Sequence, residues 1–369
     1  MRKQLQPLKR ITFILSFLIA LLFGLTGIMA QEGLGPVEVR SLVYSPDGTQ
    51  IAYASGPYVC SDDLQPYAIR VIDAETSVIT QTLLEHHCVV NEIDWSSDGT
   101  KLVSSGEDGL SYVWDLTSGQ TISNFKESSL QFPRNGARWS PNNELVVDYP
   151  QAGSVIAIWD AQTGEAIGYI GVGTEIPIAA FDWSSDGTRI ATVMSPDKLQ
   201  IWDVRNISKT GNPQLLSTFE NRSAISIKWS PDDRYLALGD IASLKIIEVA
   251  TGQEVTVLSG HSAPVLTLAW SPDGTRLASG SMDNTARVWD ITSGTELAVF
   301  RHPGFVTTVD WSPTDEKIAY SGRGADPSAP IQIVNVPPAL TPATAVPAVP
   351  SIRWISILQI LLLLVGLTL

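Results

Sequence analysis

The chain has 369 residues, 44% of them hydrophobic, and a formal net charge of −14. That length and composition allow one large buried core, so no second folded domain is required. All 38 acidic residues lie between positions 31 and 350, together with all but five of the 24 basic ones; such a field repels phosphate backbones, which argues against nucleic acid and for proteins or cations as partners.

Residues 1–10 carry four positive charges, and Ile11 to Ala30 form an apolar run. The pattern predicts a signal peptide or signal anchor over 1–30. A small residue closes the run, which favours cleavage after Ala30, whereas Ile28 and the length of the run favour retention as a membrane span. In either case the positive-inside rule sends the rest of the chain outside the cytoplasm.

Seven copies of one mark follow, an aromatic residue, a serine and a turn: Tyr44-Ser45-Pro46-Asp47-Gly48, then the same pattern from Trp95, Trp139, Trp183, Trp229, Trp270 and Trp311. Successive aromatics are 51, 44, 44, 46, 41 and 41 residues apart, a period that suits one four-stranded unit per repeat. In Ser271-Pro272-Asp273-Gly274 the proline presets φ at the second position of a type I turn and the glycine supplies a positive φ, so the mark predicts a hairpin between two strands. A second mark closes the third strand of four repeats, at Trp114-Asp115, Trp159-Asp160, Trp202-Asp203 and Trp289-Asp290, with Ile72-Asp73, Ile247-Glu248 and Val334-Asn335 at the equivalent places.

These marks resemble the WD-repeat family over residues 37–336. The resemblance implies an all-β fold, a seven-bladed β-propeller of WD-repeat type, flanked by an N-terminal signal or anchor and a C-terminal hydrophobic helix. It also implies the family's buried hydrogen-bond tetrad on His86, Ser104, Asp108 and Trp114, and again on His261, Ser279, Asp283 and Trp289. Repeat seven keeps His302 but has Tyr320 and Val334 at two of the other places, and the repeats without histidine are expected to rely on packing alone.

The residues just before the marker aromatics are Val43, Asp94, Arg138, Asp182, Lys228, Ala269 and Asp310, whereas one place earlier every residue is apolar. Alternation with period two puts these columns on opposite faces, so Asp94, Arg138, Asp182 and Lys228 are expected to form a charged belt linking four blades around the channel. Cys60 and Cys88 are the only cysteines. An even count and an oxidising address predict a disulfide between them, worth about 3–4 kcal/mol on the chain-entropy model, with two unrelated thiols as the alternative.

Residues 337–350 contain five prolines and predict a semi-rigid linker. Because proline lacks a ladder donor, the last blade is expected to be irregular or three-stranded. The mostly apolar residues 351–369 predict a C-terminal transmembrane anchor, with Arg353 and Trp354 at the interface; a core helix or a removed lipid-anchor signal are the alternatives.

The chain contains no G-x-S-x-G elbow, phosphate-binding loop, H-E-x-x-H or C-x-x-C pattern. His86, His261 and His302 have structural places in the repeat, and His86-His87 lacks a third ligand for a metal. No cofactor or metal is implied. The resulting expectation is an extracytoplasmic, membrane-tethered WD-repeat scaffold for an unidentified protein partner, without catalysis. Alternatives are a propeller-type enzyme or small-ligand binder using the central channel, or a purely structural cell-surface protein.

Overall fold

A computed structural model describes residues 37–338, apart from 57–59, 61–66, 126–133, 151–154, 172–177, 195–196, 208–211, 221 and 315. The end segments 1–30 and 351–369 and most of the linker 337–350 lie outside the described residues. Among the described residues no helix is long and apolar enough to cross a membrane.

Each repeat starts with an inner strand that ends on its marker aromatic, from Val37–Tyr44 and Val90–Trp95 round to Val306–Trp311. In repeats two to six the four strands pair in chain order as an antiparallel meander, giving five separate four-stranded sheets. The expectation of a seven-bladed propeller is corrected here: only these five blades are separate four-stranded sheets. The strands of repeats one and seven belong to one seven-stranded sheet, because Lys317–Ala325, the second strand of repeat seven, runs on past its own partner. Its far end pairs with the first inner strand, Val37 opposite Ala325 and Glu38 opposite Arg323.

The join replaces closure by an outer strand. Thr308 Oγ1 accepts from the Leu42 N–H at 3.0 Å, and the Asp310 carboxylate accepts from the Tyr44 N–H at 2.8 Å. The outer edge of repeat seven is its third strand, Gln332–Asn335, and no fourth strand follows among the described residues.

The turns follow from their residue types. Ser271 Oγ accepts the Arg276 N–H at 2.9 Å and donates to Asp273 at 2.6 Å, while Gly274 takes φ of 68°. Asn143 and Asp233 occupy that left-handed position in repeats three and five, where a short polar side chain tolerates it.

The core lies between sheets. One buried cluster joins Ala52, Ile69 and Leu83 of repeat one to Ile93, Leu102 and Trp114 of repeat two; others join repeats three to four, four to five and six to seven. A single repeat is apolar on both faces of its sheet, so it is stable only against its neighbours.

Gly322 tests the path of Lys317–Ala325 against its partner strand in repeat seven. A Cβ at this position would fall on the carbonyl of Phe305, a backbone atom that cannot swing aside. Gly322→Ala is expected to destabilise the fold by about 1–3 kcal/mol, read as a lower urea midpoint at unchanged slope; an unchanged midpoint would contradict the described path of this strand.

Candidate functional site

The inner strands surround a channel of about 320 Å³, lined among others by Arg40, Glu92, Asp94, Arg138, Lys228 and Asp310. Arg138 Nη1 lies 2.6 Å from Asp182 and its Nη2 2.6 Å from Glu92; Lys228 Nζ lies 3.2 Å from the same Asp182 oxygen that meets Arg138. Asp182 is therefore shared by two cations and links repeats three, four and five. Burial opposes the charge of Arg138, but the carboxylates of Glu92, Asp182 and Asp94 outweigh it and raise its pKa.

The structure does not join Asp94 to Arg138 in an ion pair; Arg138 takes Glu92 instead. Glu92 stands three places before its marker aromatic, where the other repeats have Ser41, Gly136, Ala180, Ser226, Thr267 and Thr308. It is the only charged residue of that column, a signal that could have revealed it. Gly136, next in the ring, leaves the space its carboxylate enters, because a Cβ there would meet Glu92 Oε2.

Asp94 has a different task. Its carboxylate accepts the backbone N–H of Trp139 at 2.9 Å, as Asp182 accepts that of Trp229 at 2.8 Å and Asp310 that of Tyr44. Each acid thus fastens its own repeat to the marker aromatic of the next. In return, the Trp229 indole donates to the Asp182 carbonyl at 3.2 Å. Burial pushes Asp94 up from 3.8 to about 7, against the pull of Arg138 and Lys228, and raises Asp310 as well.

The same repeats are coupled again at their turns. Ser97 and Ser185 stand where other repeats have proline, and their freed N–H groups donate to Asn143 at 2.7 Å and Asp233 at 2.6 Å in the next repeat. A proline could not make either bond.

In repeat two, His86 lies 2.8 Å from Asp108 and 2.8 Å from Ser104, which accepts the Trp114 indole N–H at 2.8 Å. In repeat six the distances are 2.7 Å from His261 to Asp283, 2.8 Å from His261 to Ser279, and 2.8 Å from Trp289 to Ser279. Burial lowers the pKa of His261, and Asp283 is lowered despite its own burial by bonds from Thr285 and His261. The neutral ring then donates from Nδ1 to the carboxylate and accepts the serine proton at Nε2. His302 meets the Gly304 carbonyl at 3.0 Å instead.

The repeats without histidine do not all rely on packing alone. In repeat three, buried Asp148 stands at the serine place and accepts the Trp159 indole at 2.8 Å; in repeat four, Thr192 accepts that of Trp202 at 3.1 Å. The second-strand acceptor outlasts the histidine because a buried indole N–H without a partner is costly.

Cys60 and Cys88 are joined by a disulfide with Cα atoms 4.5 Å apart. His87 is exposed; its backbone N–H donates to Asp108 at 3.1 Å.

Among known proteins, the family described as "WD domain, G-beta repeat" matches residues 77–115 and 252–290. The chain is 27% identical over 199 residues to WD repeat-containing protein AAC3 of Dictyostelium discoideum, covering 47% of this chain and 40% of that protein. It is 26% identical over 204 residues to Target of rapamycin complex subunit wat1 of Schizosaccharomyces pombe, covering 54% and 60%. It is also 26% identical over 210 residues to Actin-related protein 2/3 complex subunit 1A of Arabidopsis thaliana, covering 53% and 54%. The matched region therefore spans 40% to 60% of the length of these relatives. The crystal structure of the β-propeller domain of Cps50 (Swd1) of Myceliophteria thermophila superposes with a TM-score of 0.65 at 15% identity, over 81% of this chain and 97% of that one, which speaks for the fold alone.

Two outcomes check the belt. Asp182→Ala leaves Lys228 and the Trp229 N–H without their carboxylate and Arg138 with Glu92 alone, and is expected to cost about 3–5 kcal/mol in equilibrium unfolding; a loss within experimental error would contradict the shared role. For Asp94, a folded pKa raised above the unfolded one means stability fully present below 3.8 and lost as pH rises through about 7. Asn keeps an acceptor for Trp139 without titrating, so Asp94→Asn should gain on the wild type between pH 4 and pH 8, whereas parallel pH profiles would refute the shift.

Proposed function

We propose that this chain, which is similar to WD-repeat proteins in two of its repeats and over about half its length, is a non-catalytic WD-repeat β-propeller scaffold, held outside the cytoplasmic membrane by its end segments, that binds a protein partner through the loops of one propeller face. One observation carries the reading. The groups that look most like chemistry are occupied in holding the fold: Asp182 by Arg138, Lys228 and Trp229, and His86 and His261 by their tetrads. What remains is the loop surface, and a rigid scaffold presenting loops is suited to binding. The relatives named as subunits of complexes support a protein partner. The basic and apolar N-terminus, the apolar C-terminus and the disulfide support the extracytoplasmic address.

Asp94 and Asp310 favour a second reading. Both face the channel with raised pKa values, and neither has an ion-pair partner among the described residues within 4.0 Å. A small cationic ligand entering the channel would meet both.

The two faces can be tested separately. The turns at 46–49 and 74–77 share one face, tied by the Ala74 N–H to the Thr49 carbonyl at 2.9 Å, and the antiparallel meander puts the connection at 84–89 on the other. With the full chain purified from detergent-solubilised membranes, a stoichiometric protein is expected to co-purify, and either Glu75→Lys or Glu85→Lys should abolish its recovery while the other leaves it intact. Recovery of the chain from the cytosolic fraction would defeat the address. Recovery without any partner would defeat the scaffold reading.

A further inference from the structure

The disulfide has a third neighbour. The ligand-type atoms of Cys60, Cys88 and Glu107 all lie within 4.8 Å of one another, and Glu107 Oε2 is 3.9 Å from Cys88 Sγ. A disulfide sulfur carries no proton to donate to that oxygen, so the bridge alone does not explain why the carboxylate faces it.

Other contacts aim the carboxylate. The Glu107 backbone N–H donates to the Val89 carbonyl at 2.8 Å, which fixes Glu107 beside Cys88. Its second oxygen, Oε1, is taken by Arg40 Nη1 at 2.6 Å, and the same nitrogen donates to Asn91 at 2.6 Å. Arg40 Nε in turn reaches buried Glu38 at 3.4 Å. A carboxylate with one oxygen held by an outer partner and the other turned toward two sulfurs is how metal-ligating carboxylates are oriented.

We propose that Cys60, Cys88 and Glu107 form a thiol-gated metal site, which takes a divalent zinc ion when the disulfide is reduced. Reduction by a dithiol transfers two electrons and two protons, opening the S–S bond to two thiols while the reductant becomes a disulfide. Binding then releases both protons as the thiolates ligate the ion, with Glu107 as third ligand and the fourth position open to water. Tetrahedral ligands at about 2.3 Å from zinc stand roughly 3.8 Å apart, so Glu107 needs little movement and the sulfurs must separate. Cys60 is exposed and provides both that freedom and the entry path, whereas Cys88 is 1% exposed and serves as the fixed ligand. Two thiolates, one carboxylate and a divalent ion leave one negative charge beside the Arg40 guanidinium, which Glu38 shares.

The test uses the full chain with cobalt(II) as a spectroscopic probe for zinc. Reduced protein is expected to bind one equivalent with a thiolate-to-cobalt charge-transfer band that added zinc abolishes, and oxidised protein, Cys60→Ser and Cys88→Ser to show no such band. Glu107→Gln should keep the thiolates but weaken the affinity by about ten-fold or more. Arg40→Met, which leaves all three donors in place, should weaken it by about ten- to a hundred-fold and serves if Glu107→Gln fails to fold. No band from the reduced chain, or Glu107→Gln and Arg40→Met binding as tightly as the wild type, would overturn the proposal.

Discussion

The carboxylate standing before a marker aromatic, bonded to the backbone N–H of the next repeat's aromatic, is the contact on which three junctions of the ring depend, two to three, four to five and seven to one. Asp94, Asp182 and Asp310 each make it. Apart from the strand join between repeats seven and one, each sheet is tied to its neighbour by one linking segment and no ladder bonds, so the angle between sheets is set largely by side chains. A carboxylate on a backbone N–H is a strong bond with a defined direction, and it acts where the inner strands come closest.

The other features follow from that placement. Acids used in this way bring negative charge into the channel, and Arg138 and Lys228 in the intervening repeats return positive charge to it. Repeats two with three, and four with five, carry the acid bond and also the serine-to-turn bond, so they behave as coupled pairs. Between repeats seven and one, Asp310 acts together with the strand join at Val37 and Glu38. In a ring held in this way Arg138, Asp182 and Lys228 are engaged with one another, and His86 and His261 serve as internal struts.

Much of this was legible in the residues. The marker aromatics and the serine turns follow from local rules that repeat seven times, the tetrads from a spacing shared by repeats two and six, and the alternating column pointed to Arg138, Asp182 and Lys228. What was not legible depends on neighbours across the ring. Glu92 belongs to a column one step removed, and only the space above Gly136 lets it reach Arg138. Asp94 sits beside a cation in the ring but bonds to a backbone group, which column reading cannot see. The union of repeats one and seven comes from two residue pairs at the far end of the strand Lys317–Ala325, too short a signal for any pattern. Asp148 and Thr192 have no histidine beside them to mark the place, yet the indole acceptor persists without it.

The ring-closing bond from Asp310 to Tyr44 gives the most direct test. Native-state hydrogen exchange of the Tyr44 amide can be compared between the wild type and Asp310→Ala, with the Trp229 amide, held by Asp182 on the far side of the ring, as an internal reference. If the carboxylate holds neighbouring repeats together, Tyr44 loses protection while Trp229 keeps it. Equal protection of Tyr44 in both proteins would contradict the account.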